Sequence, residues 1–331
     1  MTNSHSSVND SARISDRFYL WILILVGVSG AAYLLIAVWA GWSEVIAALR
    51  SLGLAAAAAG VLASTLNYLL RFSRWLVICR ALEASVPWRF NLKAYGGGLA
   101  LTATPGKIGE TVRSALLLRH GVPVAASLAA FFVDRLADVV GVLLLAALTA
   151  PAAFQWGYAA FALLALALGF GVARMGIAAG ERLSRHFHNV AVLQTFCNWT
   201  RKASVHVGQA WQMRLVPLLV AIAMVAYGLQ AAVFAAYVQS LWPAIDSTTA
   251  FHFFLVSTLA GAASMLPGGL GAMEASLIGL LVHEGMPLAL ATSATIGIRL
   301  VTLWFGIFIG VCSLGSLRKT NPEPFDASNP K

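Results

Sequence analysis

Two long apolar stretches of this chain are each broken at a Pro-Gly pair, and each leads on to an arginine set deep in hydrophobic sequence. The first reads Pro105-Gly106-Lys107-Ile108-Gly109, continues to Gly121-Val122-Pro123 and reaches Arg135-Leu136. The second reads Pro267-Gly268-Gly269-Leu270-Gly271, continues to Gly285-Met286-Pro287 and reaches Arg299-Leu300. Both arginines stand twelve residues after their proline. With 59% hydrophobic and 11% charged residues and apolar runs of 20 or more, the solvent for most of this chain is lipid. In lipid every backbone N–H and C=O must find a partner, so a broken helix is tolerated only against protein or a polar cavity. Broken segments at matching places in two halves are the pattern of carriers that hold substrate between repeats.

Segment length and charge then set the topology. Residues 94–104, 107–120, 251–266 and 271–283 are each too short to cross about 30 Å of hydrocarbon as helices. Lys and Arg cluster at Arg13 and Arg17, at Arg80, Arg89 and Lys93, at Arg174, Arg182, Arg185, Arg201, Lys202 and Arg214, and at Arg318 and Lys319. All belong on the cytoplasmic side by the positive-inside rule, and the segments 41–53 and 242–250 belong outside. Reading each broken segment as one kinked span would invert the helices between them and expel the basic 174–214 stretch. A re-entrant helical hairpin at each break satisfies the charge rule.

The expectation is an all-α polytopic membrane protein. About six spanning helices, near 18–40, 54–79, 122–150, 152–173, 215–241 and 287–315, combine with two re-entrant hairpins in an inverted repeat. The division is a disordered cytoplasmic tail over 1–17 and a single membrane domain over 18–317, followed by a second cytoplasmic tail over 318–331. Within the domain, repeat one covers about 54–173, a cytoplasmic loop 174–214, and repeat two about 215–315. Cys79, Cys197 and Cys312 fall near the cytoplasmic side and read as packing residues.

Charge inside lipid marks where function belongs. An arginine at mid-helix costs about 2.5–3.5 kcal/mol even on the mildest scale. Asp134, Arg135 and Asp138 lie half-way along the helix that starts near 122, and Arg299 lies at the same depth of the last helix. Asp134, Asp138 and Glu274 are candidates for proton coupling or for charge pairing, and the sequence leaves both open. The half-helix after Pro105-Gly106 begins with unpaired N–H groups beside Lys107, with Glu110 and Arg113 following at three-residue steps on one face. Such an end suits an anionic head group, or else Glu110 neutralises its two basic neighbours in a local cap. The second break has Gly269 in place of Lys107 and reads as a close-packing gate. Arg71 and Arg74, next to Trp75, either snorkel to the interface or meet ligand. The central stretch around Leu183, Phe187 and Val190 has an imperfect amphipathic pattern. Gly306 and Gly310 form a GxxxG helix-contact motif.

Taken together, Pro105-Gly106-Lys107-Ile108-Gly109-Glu110-x-x-Arg113, Asp134-Arg135-Leu136-x-Asp138, Pro267-Gly268-Gly269-Leu270-Gly271-x-x-Glu274 and Arg299 resemble the lysylphosphatidylglycerol synthase transmembrane family, the flippase-like integral membrane proteins. The likeness covers roughly 20–315, and Asp134 replaces the usual glutamate of a Glu-Arg-Leu motif. It implies a flippase or scramblase that moves a polar-headed, anionic or phosphate-containing lipid across a bacterial inner membrane, with both termini cytoplasmic. On that implication Lys107, Glu110, Arg113, Arg135, Arg299 and Arg74 contact the head group, while Pro105, Gly106, Gly109, Pro267, Gly268, Gly269 and Gly271 shape the hairpin breaks. The alternatives are a membrane-embedded lipid-modifying enzyme and a non-transporting subunit of an envelope-biosynthesis complex. The chain lacks G-x-x-x-x-G-K-[ST] and H-E-x-x-H. No catalytic residue, cofactor, metal or nucleic acid is expected. The expected partners are the lipid substrate, the bilayer, and a second copy of the chain or a biosynthetic protein. Aminoacyl transfer in the namesake proteins belongs to a separate soluble domain, so this chain is not expected to make aminoacyl lipid.

Overall fold

A computed structural model describes residues 42–102, 112–118, 120–186 and 191–319. The helix expected at 18–40, the first tail, residues 320–331 of the second tail, and the first break with Pro105, Gly106, Lys107, Gly109 and Glu110 lie outside the described residues, while 318–319, expected in the second tail, are helical. Within them the chain is all-helical. The helices are α1 (Trp42–Ala81), α2 (Trp88–Leu99), α3 (Val112–Leu118), α4 (Val124–Thr149), α5 (Ala152–His186), α6 (Ala191–Ala210), α7 (Val216–Leu241), α8 (Ser247–Ala263), α9 (Ala272–His283), α10 (Leu288–Arg299) and α11 (Phe305–Lys319). A π-helical turn, Leu300–Trp304, joins α10 to α11.

Four stretches among the described residues are long and apolar enough to cross a membrane: Val45–Ala81, Ala152–Ala179, Val216–Leu241 and Leu288–Leu317. Helix α4 has the same 26 residues as α7 but carries Asp134, Arg135 and Asp138 at its centre. Large apolar side chains such as Phe154, Trp156, Phe161, Leu163 and Phe308 are exposed, as a lipid-facing surface requires. This is a multi-pass membrane protein.

The segment 41–53, expected as an external loop, is helical from Trp42 to a break at Gly53 (φ 75°). Its Val45 and Leu49, four apart, pack on Ile296 and Leu288. The 174–214 segment, expected as a loop, is helical over most of its length, because α5 runs on to His186 and α6 follows. Buried Cys197, Ser204 and Val207 on α6 recur at helical spacing, so one face of that helix is packed rather than merely lying on lipid.

The repeat in the sequence is a repeat of local structure. Gly121 and Gly285 both adopt positive φ, at 77° and 84°. Val122 N–H donates to Leu117 O and Gly121 N–H to Leu118 O; Met286 N–H donates to Leu281 O and Gly285 N–H to Val282 O. Each helix before the break therefore ends in the same Schellman motif, with a glycine where an L side chain would clash. Its apolar partners Val122 with Leu117, and Met286 with Leu281, are buried. The following Pro123 or Pro287 sets φ for the next helix start, α4 or α10.

Two apolar cores result. One gathers Phe72, Trp75, Tyr95, Val133 and Trp211; the other gathers Phe234, Phe254, Leu277 and Ile298. Helices α4 and α7 pass through both, and the charged residues of α4 lie close to where its side chains change from the first core to the second.

Candidate functional site

A glutamine, two tyrosines and several charged residues face one another in this interior. Helix α1 presents Asn67, Arg71, Arg74, Trp75 and Ile78 on one buried face, at the three- and four-residue steps of a helix. Arg74 is fully buried. It donates from Nε and Nη2 to Asp134 Oδ1 at 2.9 and 2.6 Å, and from Nη2 to Asp138 Oδ1 at 2.6 Å. Arg71 Nη2 reaches Asp138 Oδ2 at 3.2 Å, and Arg135 reaches Asp134 Oδ2 at 2.5 Å and Asp138 Oδ2 at 3.0 Å. Among the described residues this is a network of three arginines and two aspartates joining α1 to α4. Neither Arg71 nor Arg74 snorkels to an interface, because both are held inward by carboxylates that would otherwise be buried alone.

The second cluster belongs to the other repeat. Arg299 at the end of α10 donates from Nε to Glu274 Oε1 at 2.7 Å and from Nη2 to Gly268 O at 2.9 Å, while Nη1 meets Met273 Sδ at 3.3 Å. Glu274 Oε2 in turn accepts from Gly271 N–H at 2.8 Å, capping α9. The turn Pro267–Gly269 is thus tied to α10 through one guanidinium. Gly269 (φ 68°) packs so closely on α8 that an added Cβ would lie 3.2 Å from Gly261 Cα. The break is therefore closely packed.

Between the two clusters lies a half-open cavity of about 300 Å³. Its wall carries Arg71, Arg135 and Asp138 from the first cluster and Arg299 from the second, with Tyr68, Tyr227, Gln230, Thr258 and Thr302 among apolar side chains such as Leu99, Val142 and Phe254. Gly268 and Gly269 also line it. The cavity floor is stiffened where Tyr68 donates to Thr302 O at 2.5 Å, inside the π turn that follows Arg299. A single π turn in an otherwise α-helical rod recurs at functional sites.

The residues expected at the site separate into three groups. Arg135, Asp138 and Arg299 line the cavity. Asp134, Glu274 and Arg74 sit behind them and hold them in place. Arg113 is elsewhere: it is 1% exposed, with its Cζ 4.1 Å from the Tyr95 ring and 5.2 Å from the Trp75 ring, two adjacent cation–π contacts, and Trp75 is itself fixed by donating to Asn91 Oδ1 at 2.9 Å. Gly98 makes room for it, since a Cβ there would overlap the Arg113 guanidinium. Lys107 and Glu110 lie outside the described residues. Gly306 and Gly310 do not face a partner chain: a Cβ at Gly306 would strike Tyr68, and one at Gly310 would strike the Ala100 backbone. The motif closes α11 onto α1 and α2 instead.

Of the two readings of Arg71, interfacial anchor or ligand contact, the structure places it on the cavity wall, whereas Tyr227 and Gln230 were not foreseen there. A signal existed in the polar pair Tyr227 and Gln230, three apart in the apolar middle of α7, beside Ala226 O, which accepts from Asn67 Nδ2 at 2.7 Å.

Similarity to known proteins agrees with this arrangement. A stretch of 57 residues is 42% identical to a UPF0104 membrane protein of Methanothermobacter thermautotrophicus, covering 17% of this chain and 17% of that protein. The family model for the lysylphosphatidylglycerol synthase TM region matches residues 21–310, which include both breaks, both arginine clusters and the cavity, and the chain belongs to that family.

Proposed function

We propose that the protein is a lipid flippase or scramblase, in which the head group of a phosphate-bearing lipid occupies the cavity while its acyl chains stay in the bilayer. The observation that carries this reading is the cavity wall, to which both repeats contribute an arginine at the same register, Arg135 and Arg299, between helices long enough to span. Guanidinium groups bind phosphate oxygens through paired N–H donors, which suits this guest. The half-open form suits a lipid, since the polar part must enter from the side without drawing its tails out of hydrocarbon.

In the same reading the chain makes six spans, two re-entrant hairpins and an inverted repeat, with both termini on the cytoplasmic side of a bacterial inner membrane. Helix pair α8 and α9 is the second hairpin. Asp134, Asp138 and Glu274 serve charge pairing, since each is engaged by arginine. Held in this way by guanidinium groups, these carboxylates act as structural partners, which supports transport over bond chemistry.

Proteoliposomes containing only this protein test the proposal. Labelled lipid should cross at a protein-dependent rate, and Arg135→Ala and Arg299→Ala should both abolish crossing while leaving the protein folded. Undiminished crossing in both variants would remove the cavity from the route. A reporter fused between Gly171 and Arg182 should read cytoplasmic and one at Asp246 external; the same side for both would remove the inverted topology.

A further inference from the structure

Among the described residues, the carboxylates nearest the cavity, those of Asp134, Asp138 and Glu274, are all engaged. Asp138 Oδ1 takes Arg74, and its Oδ2 takes both Arg71 and Arg135. Asp134 is held by Arg74 and Arg135. Glu274 gives one oxygen to Arg299 and the other to the Gly271 amide. An ammonium entering this space would have to displace a buried arginine to reach an acid, and it would then lie among the guanidinium groups of Arg71, Arg135 and Arg299 on the wall.

An anion meets the opposite situation. Arg71 makes the longest contact of its network, 3.2 Å to Asp138, and among the described residues its Nε has no hydrogen-bond partner although the side chain is 9% exposed. Its guanidinium lies 5.8 Å from the Tyr227 ring, which shields one side. The hydroxyls of Tyr68, Thr258 and Thr302 already donate to the carbonyls of Thr302, Phe254 and Ile298, so their oxygens can accept from glycerol hydroxyls, while the Gln230 amide on the same wall can donate to phosphate. At about 300 Å³ the space is at the small end of ligand sites, enough for a compact head group.

We infer that the cavity selects lipids whose head group is a phosphodiester without an ammonium, phosphatidylglycerol being the simplest, and rejects aminoacylated head groups. A lysyl ester adds two ammonium groups and a longer chain to the same phosphodiester, so the cavity is built against the lipid for which the family is named. This inference rests on the reading of the cavity as a lipid head-group site.

The test is lipid retention by the full chain in detergent, read by native mass spectrometry with equal phosphatidylglycerol, phosphatidylethanolamine and lysyl-phosphatidylglycerol. Phosphatidylglycerol should be retained at least about tenfold over lysyl-phosphatidylglycerol, with phosphatidylethanolamine between them. Arg71→Gln should reduce that ratio several-fold and Arg71→Lys should keep its direction. Thr258→Asp, which adds an acid to the wall away from the arginine network, should raise lysyl-phosphatidylglycerol retention even if Arg71→Gln does not fold. Equal retention of the lysyl lipid, or a ratio unmoved by Thr258→Asp, overturns the inference. Inorganic phosphate should not displace the lipid; displacement would overturn the lipid assignment in favour of a free anion. Preference in retention without any crossing in proteoliposomes would sink the carrier reading and leave head-group selection standing. Crossing of the lysyl lipid at the rate of phosphatidylglycerol would do the reverse.

Discussion

The two halves of the molecule share a turn and differ in how they treat charge. Each half ends a helix with a glycine-closed Schellman motif, starts the next at a proline, and brings an arginine to the cavity twelve residues later. In the first half that arginine joins a network of three arginines and two aspartates among the described residues, spread over α1 and α4. In the second half the partners of Arg299 among the described residues include one glutamate, one backbone carbonyl and one sulfur, all within the turn and helix α9. Local geometry is thus repeated while electrostatics is divided: one half stores charge between helices, and the other uses charge to fasten a turn.

The contrast breaks most readily at the buried centre of each cluster. Arg74→Ala leaves Asp134 and Asp138 buried with fewer partners and should cost about 3–5 kcal/mol of stability. Glu274→Gln removes the charge and keeps one oxygen, for Arg299 or for the Gly271 amide, while its NH2 meets the other donor, so it should cost about 1–3 kcal/mol. Unfolding in a fixed detergent mixture compares the two directly. Equal costs would mean that both clusters are fasteners and that the first stores nothing.

How much of this was legible in the sequence depended on the range of the interaction. Gly121-Val122-Pro123 and Gly285-Met286-Pro287 could be matched by eye because a Schellman motif is encoded within six residues. The helices α4, α7 and α10 with α11 follow from apolar runs of spanning length. The partner of Asp134 did not follow, because Arg74 lies 60 residues away on α1 and its position next to Trp75 equally suits an interfacial anchor. Arg113 shows the same limit from the other side. Its charge pointed to a ligand, and only tertiary packing reveals the Tyr95 and Trp75 rings that hold it. Charge alone tells that a residue must be paired in lipid, and the fold decides with what.

The shared turn predicts a symmetric effect where the charges predict an asymmetric one. Gly121→Ala and Gly285→Ala each place an L side chain at positive φ in otherwise open space. Each should therefore cost about 1 kcal/mol, and the two should agree within a few tenths. A marked difference in thermal unfolding would show that the repeat is one of sequence pattern only, with unequal strain in the two turns.

The smallest expected effect lies at the entry to each helix pair. Helix α8 starts at Asp246, whose carboxylate accepts from Thr248 N–H at 2.8 Å and Thr249 N–H at 3.4 Å, whereas α2 starts at Pro87 with no side-chain cap. Those amides, Thr248 first and Thr249 second, hold the Asp246 carboxyl below its usual range. Its contribution is then fully present above the ordinary aspartate value of about 3.9 and is lost as pH falls through the depressed folded value. Asp246→Ala should lower the thermal midpoint slightly at neutral pH, and that gap should close only under acid stronger than ordinary carboxylate titration requires. Because α2 has no such cap, amide exchange should show acid loosening the start of α8 while leaving the start of α2 unchanged relative to its own intrinsic rate; equal loosening of both would place the acid sensitivity in the buried clusters instead.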